Sequence, residues 1–113
     1  MQKDIVIDGK KVTFKATAYT VVKYRDIFGR DLLKDMETVN KHDIEDKSYV
    51  SGDDLSILLD FGWTMAKQAD QSIPNSVEEW TDQFNTFPVF KLGLEWRIIW
   101  GLANGTLETT KKA

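Results

Sequence analysis

The chain has no cysteine, which excludes a disulfide framework, a thiolate metal site and a thiol nucleophile. Histidine occurs once, at His42. A catalytic role would make it a base oriented by Asp43, Glu45 or Asp46, but no nucleophile or second ligand accompanies it, so it reads as a solvated loop residue. A basic excess is also missing: 15 Lys and Arg face 18 Asp and Glu, for a net charge of −3. Domains that neutralise phosphates carry the opposite balance, so nucleic acid is not an expected partner. Tyr19, Tyr24 and Tyr49 are scattered over separate elements and form no base-stacking platform. No apolar run approaches the ~18 residues of a membrane span, and MQKDIVIDGKK lacks the apolar core of a signal peptide. Phosphate-cradling glycine loops and GxSxG are absent. The carboxylates Asp43, Glu45, Asp46, Asp53 and Asp54 lack the alternation of a calcium loop and read as solvated charge and helix caps. These absences point to a soluble, intracellular-type, non-enzymatic domain with no metal, cofactor or membrane.

What is present is a core. Hydrophobic residues make up 42% of the 113 positions and aromatics 12%, enough for one folded domain and too short for two. The domain is expected over residues 1–105, followed by a polar, flexible tail over 106–113. The expected fold is α+β and mainly α: an N-terminal antiparallel β-hairpin packed on a bundle of about four to five helices.

The hairpin is announced by Asp8-Gly9 between two short alternating runs. Ile5 and Ile7 share one face of the first strand, and Val12, Phe14 and Ala16 one face of the second. A lone hairpin is marginal in water, so this face must lie on helices. Thr20 is placed to cap a helix through Phe28 with Val21, Tyr24 and Phe28 inward, and Gly29 suits its C-terminal cap. A second helix begins near Asp31, with Leu32, Leu33, Met36 and Val39 as its buried stripe. Asn40–Gly52 reads as a connecting loop into which that helix could persist. Ser51 and Asp54 then resemble a capping box opening the central helix, which runs to about Ala69. Its apolar side carries Leu55, Leu58, Leu59, Gly62, Trp63, Met65, Ala66 and Ala69, with Ile57 and Phe61 as exceptions on the polar side. Pro74 marks a loop, and Ser76 with Glu79 caps a short helix carrying Val77, Trp80 and Phe84.

The final stretch, Phe87–Ala103, is apolar on two sides. At about 100° per residue, Phe87, Phe90, Leu94, Ile98 and Leu102 form one stripe. Val89, Leu92, Trp96, Ile99, Trp100 and Ala103 form a second. Period-two alternation from Leu92 to Ile98 also suits a strand, although the length and Pro88 at the start favour a helix. Gly93 weakens a helix there by about 1 kcal/mol. Either the bundle and hairpin cover both stripes or one is left for a partner. The expectation is that Phe90, Leu94 and Ile98 face the core, while Leu92, Trp96, Ile99 and Trp100 form an oligomer or partner-binding face.

Two segments resemble a known family. Tyr24-Arg-Asp-Ile-Phe-Gly-Arg-Asp-Leu-Leu33, after Phe14-Lys-Ala-Thr, is similar to the YRxxFGxD segment of tail assembly chaperones from long-tailed (siphovirus-type) phages and prophages of Gram-positive bacteria. Met65-Ala-Lys-Gln-Ala-Asp70, Ser72-Ile-Pro74 and Glu78-Glu-Trp-Thr-Asp-Gln-Phe84 resemble that family's second segment. The resemblance spans about residues 12–100. It rests on packing and turn residues and carries no chemical signature. It implies a non-enzymatic protein of the host cell cytoplasm, absent from the mature virion, that binds the tape measure protein, keeps it soluble and helps recruit the major tail protein. It also implies a homo-oligomer and a longer frameshifted form; Lys111-Lys112 is compatible with an A-rich slippery site. A different expectation, a tail-completion or connector subunit retained in the virion, suits a chain of the same composition.

Overall fold

A computed structural model describes residues 1–45 and 51–106, with side chains described outside 42–45. The elements run β1 (Gln2–Ile7), β2 (Lys10–Lys15), α1 (Thr20–Phe28), α2 (Leu32–Glu45), α3 (Gly52–Ala69), α4 (Val77–Thr81) and α5 (Val89–Ala103). The fold is therefore a hairpin on a helical bundle, α+β and mainly α, as expected. His42, Asp43, Glu45, Asp46 and Tyr49, and the tail with Lys111 and Lys112, lie outside the described side chains.

Strands β1 and β2 pair antiparallel with Ile7 opposite Lys10, so a two-residue loop joins them. Asp8 and Gly9 both take positive φ, 52° and 76°, the requirement of a turn whose twist matches the strands. Ile7, Val12 and Phe14 are buried and Val6 is 68% exposed, so the hairpin has one apolar face. Its tip is tied down: Asp8 Oδ2 accepts from the Asn85 N–H at 2.9 Å, and Lys10 Nζ donates to the Gln83 carbonyl at 2.8 Å.

Helix α3 is the axis of the domain. It packs against β2, α1, α2, α4 and α5, and every residue from Phe61 to Met65 and on to Ala66 is buried. Over that stretch the helix has no solvent face, which is why Phe61 and Thr64 are inside, although its first turns still expose Asp53 and Ser56. Ser51 caps it, its hydroxyl accepting from the Asp54 N–H at 3.0 Å. Ser76 caps α4 by accepting from the Glu79 N–H at 3.0 Å. Gly29 ends α1 at φ 69°, its N–H donating to the Arg25 carbonyl.

Two local expectations are corrected. Thr20 is not the cap of α1 but its first residue; fully buried, it accepts from the Thr17 N–H at 2.9 Å and donates to Gln68 Oε1 at 2.9 Å, tying the hairpin exit to α3. Leu33 is 51% exposed while Leu32 and Val39 are buried in the core. Helix α2 persists to Glu45, into the stretch Asn40–Gly52, as the sequence reading allowed.

Helix α5 carries the largest correction. It is a helix throughout Leu92–Ile98, but its two faces are the reverse of those expected. Leu92, Trp96 and Ile99 are 0–2% exposed, whereas Phe90, Leu94 and Ile98 are 52%, 56% and 42% exposed. Trp100 is half-buried. The reason lies in two glycines at the α3–α5 crossing. A Cβ placed on Gly62 would fall 2.6 Å from Trp96 Cζ3 and nearer still to Cη2, and one on Gly93 would fall 3.0 Å from Leu58 Cδ2. The missing side chains open a slot for the indole and let the helices approach. Phe14 from the hairpin, Trp80 from α4 and Phe87 close around Trp96, with ring centroids 5.4, 6.5 and 6.3 Å away.

Candidate docking face

With Trp96 facing inward, the outward side of α5 is a ridge of Phe90, Leu94 and Ile98, one helical turn apart. Fully burying such a side chain is worth about 1.5–3 kcal/mol each, so leaving them half in water forgoes part of that stabilisation. Beside the ridge lies a groove of about 310 Å³ between α5 and α2. Leu33 and Met36 line it from α2, Leu94, Ile98 and Trp100 from α5, and Phe61 from α3. Arg97 spans it, its guanidinium donating to Asn40 Oδ1 on α2 and, at 3.1 Å, to the Gly93 carbonyl. Exposed Leu33 is thus continuous with the α5 ridge through the groove they both line.

A second groove of similar size separates β1 from the N-terminal half of α5. Charged Lys3, Asp4, Lys91 and Glu95 line it with Ile5 and Leu92, and a Lys3–Glu95 ion pair of 2.7 Å crosses it. It is the more polar of the two and is already bridged by this chain's own side chains.

The main polar cluster is structural in character. Arg30, just past Gly29, donates from Nε to Asp35 Oδ2 at 2.9 Å and from Nη2 to both Asp60 Oδ2 at 2.6 Å and the Tyr24 hydroxyl at 2.8 Å. The Tyr24 hydroxyl in turn donates to Asp35 Oδ2 at 2.7 Å. Burial, then the Asp35 bond, pushes the Tyr24 phenol well above its ordinary value. Arg30 is held charged above all by Asp60. Asp60 is itself raised, because burial outweighs what Arg30 gives back; the burial falls on the carboxylate, whose side chain is 16% exposed against 40% for Arg30. The cluster joins the α1–α2 turn to α3 and presents no open reactive group. Tyr24→Phe should leave the fold intact and lower stability by about 1–2 kcal/mol, as one buried hydrogen-bonding oxygen is deleted; the midpoint of urea unfolding measures it.

Among the described residues no group of three or more His, Asp or Glu side chains is placed to hold a metal ion, and no helix is long and apolar enough to cross a membrane. Asp53 and Asp54 sit in the first turn of α3. The segments carrying the family resemblance are occupied with packing. Tyr24, Gly29, Arg30 and Asp31 build the α1–α2 corner, where Asp31 Oδ1 accepts from the Leu33 N–H at 2.9 Å. Lys67 Nζ donates to the Ile73 carbonyl at 2.6 Å, and the Pro74 carbonyl accepts from Trp63 Nε1 at 2.9 Å. Trp80 is fully buried.

Of the residues expected to bind a partner, Leu92, Trp96 and Ile99 belong to the core, and Trp100 alone reaches the groove. Phe90, Leu94, Ile98 and Leu33 replace them as the candidate face. Gly93 was the available signal. It falls on the Leu92–Trp96–Trp100 side of α5, and a mid-helix glycine is best accommodated where a neighbouring element comes close. Comparison with family models, curated proteins and solved structures gives no match to this chain.

Proposed function

We propose that this chain is a non-enzymatic tail assembly chaperone, which binds a tape measure protein, keeps it soluble and helps recruit the major tail protein during phage tail assembly in the host cytoplasm. The observation that carries the reading is the uncovered apolar ridge of α5 beside the α2–α5 groove. A protein that shields a long apolar polypeptide needs such a surface, and the largest apolar patch of a soluble protein is often a functional one. The YRxxFGxD-like segment and its companion supply the phage context, and the net charge of −3 helps keep the unladen protein in solution.

Co-expression with a phage tape measure protein, a very long helical chain, tests the reading. The long protein is expected in the soluble fraction only when this chain is present, and mass spectrometry of finished particles should find the chain missing. A long protein that is soluble alone overturns the proposal. Stoichiometric retention of the chain in particles would instead make it a connector or completion subunit.

A further inference from the structure

We infer that the outer edge of β1 docks an extended segment of another polypeptide, which adds to the hairpin as a third strand and brings an acidic side chain to Lys91. The site is separate from the α5 ridge and does not rest on the chaperone reading.

Hydrogen bonding selects a strand as the occupant. The sheet consists of β1 and β2 alone, so β1 has an open edge. The Ala16 N–H donates to the Met1 carbonyl at 2.9 Å, and the Met1 ammonium donates to the Ala16 carbonyl at 3.2 Å. Counting from that pair, Lys3–Phe14, Ile5–Val12 and Ile7–Lys10 are the hydrogen-bonded pairs of the ladder. The N–H and C=O groups of Gln2, Asp4 and Val6 therefore point away from β2, and no described residue pairs with them. Another extended chain carries main-chain groups at the matching spacing, whereas a helix spends its own internally. Strand addition to an exposed edge is a recurring mode of peptide recognition.

The two edges of the hairpin are not alike. Lys11 and Lys15 stand in the outward row of β2, and lysines so placed guard an edge against pairing. On β1 the corresponding row is Gln2, Asp4 and Val6, with Val6 68% exposed. The lysine of β1, Lys3, lies on the other face and is held by Glu95 at 2.7 Å.

Shape and charge narrow the partner further. Along the β1 edge runs the groove of about 310 Å³ between β1 and α5. Ile5, Pro88 and Leu92 line it, which suits apolar residues at alternate, inward positions of the added strand. Of its four charged residues, Lys3 and Glu95 pair with each other, and Asp4 accepts from Thr13 Oγ1 at 2.6 Å with Lys11 Nζ at 3.9 Å. Lys91 is the fourth, exposed and without a partner among the described residues. A carboxylate in the inward row of the added strand complements it. A second copy fits less well: two β1 edges paired antiparallel at greatest overlap set Asp4 opposite Asp4, and like charges directly opposite destabilise a strand pair.

The test uses the full chain and two fluorescent peptides of about eight residues, one strand in length. Both carry valine at alternate positions; one has a glutamate in that row, the other a lysine. Fluorescence anisotropy should show the glutamate peptide binding severalfold tighter, and Lys91→Glu should erase that preference. Val6→Pro removes an outward N–H and leaves the β1–β2 ladder whole, the setting in which an edge strand tolerates proline. It should weaken binding about tenfold, as expected when a hydrogen-bonding partner is left unpaired. Val6→Thr keeps the N–H and should bind as the parent does. Hydrogen exchange should slow on binding at Gln2, Asp4 and Val6, while Lys3, Ile5 and Ile7, already in the ladder, stay as they were. If Val6→Pro disturbs the hairpin, the exchange pattern and Lys91→Glu decide the matter.

Failure of the glutamate peptide to bind, equal binding of both peptides, or binding that leaves exchange at Gln2, Asp4 and Val6 unchanged overturns the inference. So does a dimer, seen in sedimentation, that Val6→Pro converts to monomer, since a second copy would then be the occupant.

Discussion

Trp96→Ala is expected to cost about 3–5 kcal/mol and to leave the domain at the edge of folding. The side chain is 0% exposed, and its ring meets Phe14, Trp80 and Phe87. Those three come from the hairpin, from α4 and from the segment leading into α5, so one truncation loosens three attachments at once. Neighbours can close only part of the space, because Phe14 and Trp80 are fixed by partners of their own. Urea unfolding followed by circular dichroism measures the loss. A cost under ~1 kcal/mol, the level of an exposed position, would mean that the indole faces water.

Gly62→Ala is the second large effect, and its sign is instructive. On helix propensity alone, alanine should stabilise the middle of α3 by about 1 kcal/mol. The added Cβ would instead fall 2.6 Å from Trp96 Cζ3, inside a rigid, fully buried ring that has nowhere to move. Overpacking of this kind costs about 1–3 kcal/mol, and more where the neighbour cannot adapt. A net loss of about 2 kcal/mol is expected. The obstacle is the outer edge of the indole, which phenylalanine does not possess. In a Trp96→Phe background the same Gly62→Ala should therefore be close to neutral, giving a coupling of more than about 1 kcal/mol in a double-mutant cycle. Additive losses would show that Gly62 is needed for something other than room for Trp96.

Much of the fold was legible because local chemistry specified it. Asp8-Gly9 allows a single tight turn, and the alternation of Val12 and Phe14 says which face of β2 must be covered. Ser51, Ser76 and Gly29 sit where helix ends need an acceptor or a left-handed residue, and each is found in that role. The errors arose where the answer depended on a distant element. Thr20 has the chemistry of a cap, but Gln68 on α3 recruits its hydroxyl. Leu33 satisfies the period of a buried stripe on α2, but it stays 51% exposed at the edge of the α2–α5 groove.

The two faces of α5 are the clearest case. Both stripes are hydrophobic enough to be core, and periodicity treats them alike. What separates them is Gly62, thirty-odd positions earlier in the chain, whose missing side chain decides where an indole fits. Tryptophan's familiarity at interfaces pointed to the wrong side; its bulk, needing a matching slot, pointed to the right one. The outward residues follow from the crossing of α3 and α5, of which Gly93 on the Trp96 side of α5 was the sign within the sequence.

The account turns on the claim that the outward ridge of α5 is a binding surface and carries little of the fold. The most direct measurement compares Leu94→Glu with Ile98→Glu against the parent chain in two readouts: the urea midpoint, and the soluble yield of the co-expressed long helical protein proposed as its client. The account predicts a midpoint close to that of the parent, since both positions are 42% or more exposed, together with loss of the partner to the insoluble fraction. A double variant that keeps its fold and holds the partner in solution as well as the parent does would contradict it.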